Sequence, residues 1–357
     1  MKKESTHPPI ISWEGQAVGL LDQTLLPHEE KFILCDTLPA LWEAIKSLRV
    51  RGAPAIGVSA AYGVVLAAEL CRTMDPDVFA REVHEGIDYL ATSRPTAVNL
   101  FWALERMRGC LDSMAGSGVA QQKAHLLEEA RRIEAENNQV CETLSEAGAN
   151  LLKDGFRVIT HCNAGGLACG NFYGTALGVI LKASEQGKRI SVYADETRPL
   201  LQGSRLTAYE LHKAGVPVTL LCDNMAGHVM RTIGVDAVIF GADRIAANGD
   251  TANKIGSYSL SVLAREHGVP VYVAAPLSTV DFTLSSGELI PIEVRNSAEV
   301  AGFAGIRTAP EGVEVYNPAF DVTPARYITA IITEAGVLYP PFEKSLGRLA
   351  PGYSTVS

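Results

Sequence analysis

The chain has 357 residues, of which 47% are hydrophobic and 20% charged, and a formal net charge of −9. That length predicts two domains rather than one, with enough apolar residues for a large buried core. The acidic balance argues against a nucleic-acid or anionic-membrane partner, whose binding requires a concentrated basic face, and leaves room for a small phosphorylated molecule held by a few local cations and backbone N–H groups.

MKKESTHPPI at the amino terminus has no apolar run behind its lysines and does not read as a signal peptide. The most apolar stretches are broken by Gly, Pro or charge short of a membrane span. Further along, AVGLLDQTLLP and EKFILCD predict a short strand pair. Residues 38–48, 54–71 and 118–152 carry helical spacing, the second being Ala-rich and apolar throughout and the third long and amphipathic. From residue 156 the pattern becomes short apolar runs (FRVIT, RISVYA, PVTLL, DAVIF, PVYVAA), each of the first four followed by a helix-length segment at 170–186, 204–214, 224–233 or 253–267. Alternation of this kind predicts a mainly parallel sheet with flanking helices. The expected architecture is therefore α/β: a smaller, mainly helical domain over 1–150 with a few short strands, then a Rossmann-like domain over 151–357. Seven cysteines scattered singly, without CxxC, predict free thiols in a cytoplasmic protein.

Ligands of parallel sheets collect beyond the carboxyl ends of the strands, which directs attention to the loops there. Arg51-Gly52-Ala53-Pro54, before the apolar helix, pairs a flexible Gly with a helix-start Pro and a cation, the makings of a phosphate seat. An ordinary helix start with a solvated arginine has the same spacing. Arg94 precedes Pro95, is thereby held extended, and reads equally as an oxyanion ligand or a surface arginine. Cys162 follows FRVIT ahead of a Gly-rich turn, where a thiol either moves protons or simply packs. Gly165, Gly166 and Gly170 do not make a GxGxxG, so a dinucleotide site is unsupported. Past RISVYA, Gln202 can bind hydroxyls and Ser204 can cap the next helix, while Asp195, Glu196, Arg198 and Arg205 can equally pair among themselves. Asp243, at the mouth of DAVIF, is expected to be partly desolvated and so biased to its neutral form. Asn253 and Lys254 are expected at a helix start, offering an amide, an ammonium and backbone N–H groups to phosphate. The histidines show no metal-ligand spacing, and Walker, HExxH and Ser–His–Asp signatures are absent.

Taken in order, RGAPAIG (51–57), RPTAVNL (94–100), HCNAGGLA (161–168), ETRPLLQGSRLTAYEL (196–211), GADRIAANGDTANKIGSYSL (241–260), AAPLSTVD (274–281) and NPAFDVTP (317–324) resemble the methylthioribose-1-phosphate isomerases of methionine salvage. These share their fold with initiation factor two B regulatory subunits and ribose-1,5-bisphosphate isomerase. The resemblance implies a cofactor-free homodimer that converts the aldose 1-phosphate of 5-methylthioribose to its ketose. It implies Cys162 and Asp243 as the catalytic pair, and Arg51, Gly52, Ala53, Arg94, Gln202, Asn253 and Lys254 as substrate ligands. Cys169 departs from the small hydroxyl residue common in relatives. In such chemistry Asp243 would protonate the ring oxygen and later take the 2-hydroxyl proton, while hydrogen passes from C2 to C1 by an enol-type transfer involving Cys162 or by hydride shift. The bisphosphate isomerase and a non-catalytic regulatory subunit are the competing readings.

Overall fold

A computed structural model describes residues 9–95, 97–303 and 305–350. They fall into two compact units: one holds the described residues up to Cys141 together with Gly165–Gly174, the other Glu142–Ala164 and the described residues from Thr175 onward. The boundary between the units falls inside the long helix, and a short segment beyond that helix belongs to the first unit.

In the first unit, β1 (Ile11–Trp13), β2 (Val18–Leu21) and β3 (Phe32–Cys35) form an antiparallel sheet in the order β1-β2-β3. The predicted strand pair is β2–β3; β1 was not foreseen. Helices α1 (Leu38–Lys46), α2 (Ala53–Leu70), α3 (Pro76–Ala91) and α4 (Val98–Asp112) follow, with α5 (Val119–Ala149) and the single turn α6 (Gly166–Cys169). Starts are set by local chemistry: the Thr37 side chain accepts from the Ala40 N–H, and Asp75 accepts from the Asp77 and Val78 N–H groups ahead of Pro-initiated α3. Helix α2 is the centre of this unit, buried from Ala55 to Ala68. At 18 residues it is long and apolar enough to cross a membrane, which corrects the expectation that every apolar stretch is interrupted too soon; its burial makes it a core helix.

The second unit carries a seven-stranded sheet. Its chain order is β4 (Arg157–Thr160), α7 (Ala176–Glu185), β5 (Ser191–Asp195), α8 (Ala208–Lys213), β6 (Val218–Leu221), α9 (Ala226–Thr232), β7 (Ala237–Phe240), β8 (Arg244–Ala246), β9 (Thr251–Lys254), α10 (Ser257–Glu266) and β10 (Val271–Ala274). Then come β11 (Val280–Asp281), α11 (Ala298–Ala301), β12 (Gly302–Phe303), β13 (Ile306–Arg307), β14 (Phe320–Thr323), β15 (Ala330–Thr333), β16 (Gly336–Leu338) and α12 (Phe342–Gly347). Strand order in the large sheet is β16-β15-β10-β7-β4-β5-β6, parallel except for β16. The five apolar runs of the sequence are β4, β5, β6, β7 and β10, so the parallel sheet is as expected.

From β4 the chain winds outward through β5 and β6, then returns to lay β7 on the other side of β4 and continues to β10. With right-handed crossovers this puts helices on both faces. Ala226 and Met230 of α9, Leu260 and Ala264 of α10 and Phe342 of α12 share one core with the sheet residues. Elsewhere Gly148 near the end of α5 lies against Val179 of α7 and Ile332 of β15. A second, four-stranded sheet, β11-β8-β9-β14, was not legible beforehand.

Candidate functional site

The reversal of winding direction between β4 and β7 is a topological switch point, where open α/β sheets bind ligands. Cys162 leaves β4 two residues past its end and Asp243 leaves β7 three residues past its end, on strands paired through Thr160 and Ile239. A methyl group on Gly241 would lie 2.7 Å from the Ala164 Cβ, so the two loops are in contact and only glycine allows that approach.

Cys162 is 8% exposed and has φ of 62°, a left-handed conformation unfavourable for a residue with a Cβ. It is held there from both sides: its N–H donates to Thr197 Oγ1 at 2.8 Å, and its carbonyl accepts from Thr207 Oγ1 at 2.6 Å. Thr197 is itself at φ of 65°, and its N–H and that of Arg198 are both taken by the Asp223 carboxylate at 2.7 Å. Strained residues so over-determined by their surroundings gather at functional sites.

Beside Cys162, His161 is 2% exposed, with Nδ1 3.0 Å from Asp195 Oδ2 and Nε2 2.8 Å from the Ile255 carbonyl. Burial opposes a charged ring, yet the bonds to Asp195 and Ile255 outweigh it and raise the pKa of His161. Burial pushes the Asp195 carboxyl up as well, so the pair shares one proton. Donor atoms of His161, Asp195 and Asp223 lie within 4.8 Å of one another, close enough to suit a metal. The imidazole faces Asp195 and Ile255, and both Asp223 oxygens accept backbone N–H groups, so these donors already serve the protein.

Gln202, Ser204, Asn253 and Lys254 lie in this unit too. Gln202 precedes a π-helical turn over Gly203–Thr207, a deformation common at functional sites. It is 5% exposed, and its Oε1 has no hydrogen-bond partner among the described residues. Ser204 does not cap the following helix: its hydroxyl bonds to the Leu201 carbonyl. Asn253 and Lys254 lie on strand β9, not at a helix start, because α10 begins only at Ser257. Strand β9 pairs with β8 and β14, and the Asp243 N–H donates to the Ala252 carbonyl, so Asn253 follows directly on the residue bonded to Asp243. Asn253 Nδ2 donates to Ser257 Oγ, and the Lys254 ammonium lies 4.4 Å from the centre of the Phe320 ring. Asp243 itself is exposed, which corrects the expected desolvation: the chain turns outward after Gly241 instead of continuing the buried strand.

Arg51, Gly52, Ala53 and Arg94 belong to the first unit. Gly52 caps α2 with φ of 91°, and a Cβ there would meet the Ala168 carbonyl oxygen at 2.1 Å, so no other residue fits. Arg51 and Arg94 are both half-buried. The start of α4 packs on the start of α2, where Gly57 faces the Asn99 carbonyl, so the segments carrying these residues lead into adjacent helix N-termini.

Sequence reasoning missed the His161–Asp195 pair. Its signal was present, a histidine and an acid ending consecutive apolar runs, but reading it required knowing that β4 and β5 are neighbours.

Comparison with known proteins places this geometry in a family. Residues 49–340 match the model of the initiation factor 2 subunit family, and the chain belongs to that family. It is 54% identical over 350 residues to the 5-deoxyribose 1-phosphate isomerase of Moorella thermoacetica, covering 98% of this chain and 99% of that one. It is likewise 54% identical over 339 residues to the methylthioribose-1-phosphate isomerase of Syntrophotalea carbinolica, covering 95% and 98%. The crystal structure of 5-methylthioribose 1-phosphate isomerase from Pyrococcus horikoshii superposes with a TM-score of 0.93 at 43% identity, covering 97% of this chain and 96% of that one.

Proposed function

We propose that the chain isomerises 5-methylthio-D-ribose 1-phosphate to 5-methylthio-D-ribulose 1-phosphate, with Asp243 as acid/base and Cys162 assisting hydrogen transfer. The observation that carries this reading is that both residues leave adjacent strands at the switch point of the sheet, on loops in contact. The anomeric carbon bears the phosphate, so the ring opens only if its oxygen is protonated as the C1–O bond breaks. Asp243 supplies that proton and recovers one from the 2-hydroxyl as the ketone forms, while hydrogen passes from C2 to C1. In the bound complex the sugar displaces water around Asp243 and the anionic phosphate disfavours a second negative charge, which favours the proton-donating form. The Gln202 Oε1, without a hydrogen-bond partner among the described residues, suits a sugar hydroxyl. Asn253, Lys254, Arg51, Arg94 and the N–H groups around Gly52 and Ala53 are the proposed remaining ligands, and the active form is proposed to be a cytoplasmic homodimer of a 38.1 kDa chain.

A second reading has a specific observation behind it: one relative of 54% identity is named for 5-deoxyribose 1-phosphate. That sugar lacks only the thioether and presents the same anomeric phosphate. Turnover measured side by side on the methylthio, deoxy and 1,5-bisphosphate sugars decides. The proposal expects the methylthio sugar to have the highest kcat/KM, the deoxy sugar to react and the bisphosphate to be poor. A bisphosphate preference, or no turnover of any of the three, overturns it.

A further inference from the structure

His161 lies next to Cys162 in sequence and reaches across to the segment that carries Asn253 and Lys254. Its ring ends on two acceptors, Asp195 Oδ2 at 3.0 Å and the Ile255 carbonyl at 2.8 Å, and Ile255 immediately follows Lys254. The fit is tight: a Cβ on Gly256 would lie 2.6 Å from His161 Cε1. Asp321 fastens the far side of the same turn by accepting from the Gly256 N–H at 2.7 Å and the Tyr258 N–H at 3.1 Å. On the near side, the backbone of Cys162 is fixed by Thr197 and Thr207. The imidazole is therefore a spacer between two otherwise clamped segments.

We propose that His161 is a positioning residue that, through the proton it shares with Asp195, sets the placement of Cys162 against the Asn253–Lys254 strand. The ionisable groups around the ring are Asp195 at the end of β5, Asp223 before α9, Asp321 on β14 and the neighbouring Cys162 thiol. The three carboxylates favour the protonated arrangement. If that proton leaves, the neutral imidazole keeps one N–H, which the Asp195 carboxylate holds, and Nε2 then faces the Ile255 carbonyl acceptor to acceptor at 2.8 Å, so the contact with Ile255 fails. The raised His161 pKa gives the sign: the link is intact at lower pH and is lost as pH rises through that value.

This inference rests on the proposed role of Cys162, and the test keeps the two apart. The experiment measures kcat and KM for 5-methylthioribose 1-phosphate against pH in the wild type, His161→Gln, Asp195→Asn and Cys162→Ala, with hydrogen exchange resolved over 158–163 and 253–258. The Gln amide still donates to Ile255 but does not titrate. The expected result is a kcat lower by about 10- to 100-fold in His161→Gln, with a smaller change in KM. The alkaline fall in wild-type kcat is expected to vanish in that variant, and exchange to quicken in both segments. Asp195→Asn shows the same pattern and serves if His161→Gln does not fold. A wild-type profile flat into the alkaline range, a variant that keeps the fall, or unchanged exchange in either segment overturns the proposal. Wild-type turnover in Cys162→Ala removes the thiol from the chemistry instead, and the exchange data then decide alone whether His161 joins the two segments.

Discussion

Gln202 is the single residue at which the proposed site is tested most simply. Its Oε1 is buried with no partner among the described residues, an arrangement that costs about 1–3 kcal/mol unless something binds there. Replacing it with Leu is predicted to leave stability equal to the wild type or higher by about 1 kcal/mol, while raising KM about tenfold. Urea unfolding and steady-state kinetics on the same preparation check this; a loss of stability with unchanged KM would make Gln202 structural. At this scale the sequence placed Cys162 and Asp243 just past the ends of apolar strands, and the structure has them there, leaving β4 and β7. It was silent on His161–Asp195, whose meaning depends on strand adjacency. It misjudged the exposure of Asp243, because periodicity places a strand end without showing which way the following loop turns.

Among elements, the strongly patterned ones were readable: apolar α2, amphipathic α5 and the five parallel strands β4, β5, β6, β7 and β10. Strand β9 was not, since Thr-Ala-Asn-Lys lacks the alternation that marks a half-buried strand and is defined by its partners β8 and β14. The misplacement of Lys254 at a helix start follows from that. Helix α2 depends on Gly52 more visibly than on any side chain at its start. Gly52→Ala requires both a positive φ and a displaced Ala168 carbonyl, and is predicted to destabilise by at least about 1–3 kcal/mol, read as a lowered Tm. An unchanged Tm would mean that the chain entering α2 yields easily, and the case for a rigid phosphate seat there would weaken.

For the whole chain, the α/β class was visible in the change of pattern near residue 150, whereas the grouping of Gly165–Gly174 with the first unit was not, because no local signal records it. Stability of the chain is predicted to depend on acid through Asp22. Burial alone would raise its pKa, but bonds from Thr24 and from the Arg49 guanidinium hold it below the usual carboxylate value. A depressed native pKa contributes stability above the unfolded value near 3.9 and loses it as pH falls through the native one. Asp22→Asn is therefore predicted to lower unfolding free energy at pH 7 and to approach the wild type at pH 3. An equal difference at both pH values would contradict this.

The account turns on Asp243 exchanging protons with a sugar 1-phosphate at the switch point between β4 and β7. The most direct test follows ketose formation from 5-methylthioribose 1-phosphate by NMR with the wild type and with Asp243→Asn. The account predicts ketose from the wild type, and from the folded, substrate-binding variant a rate lower by about 100- to 10,000-fold. No ketose from the wild type, or equal rates from the two proteins, would contradict it.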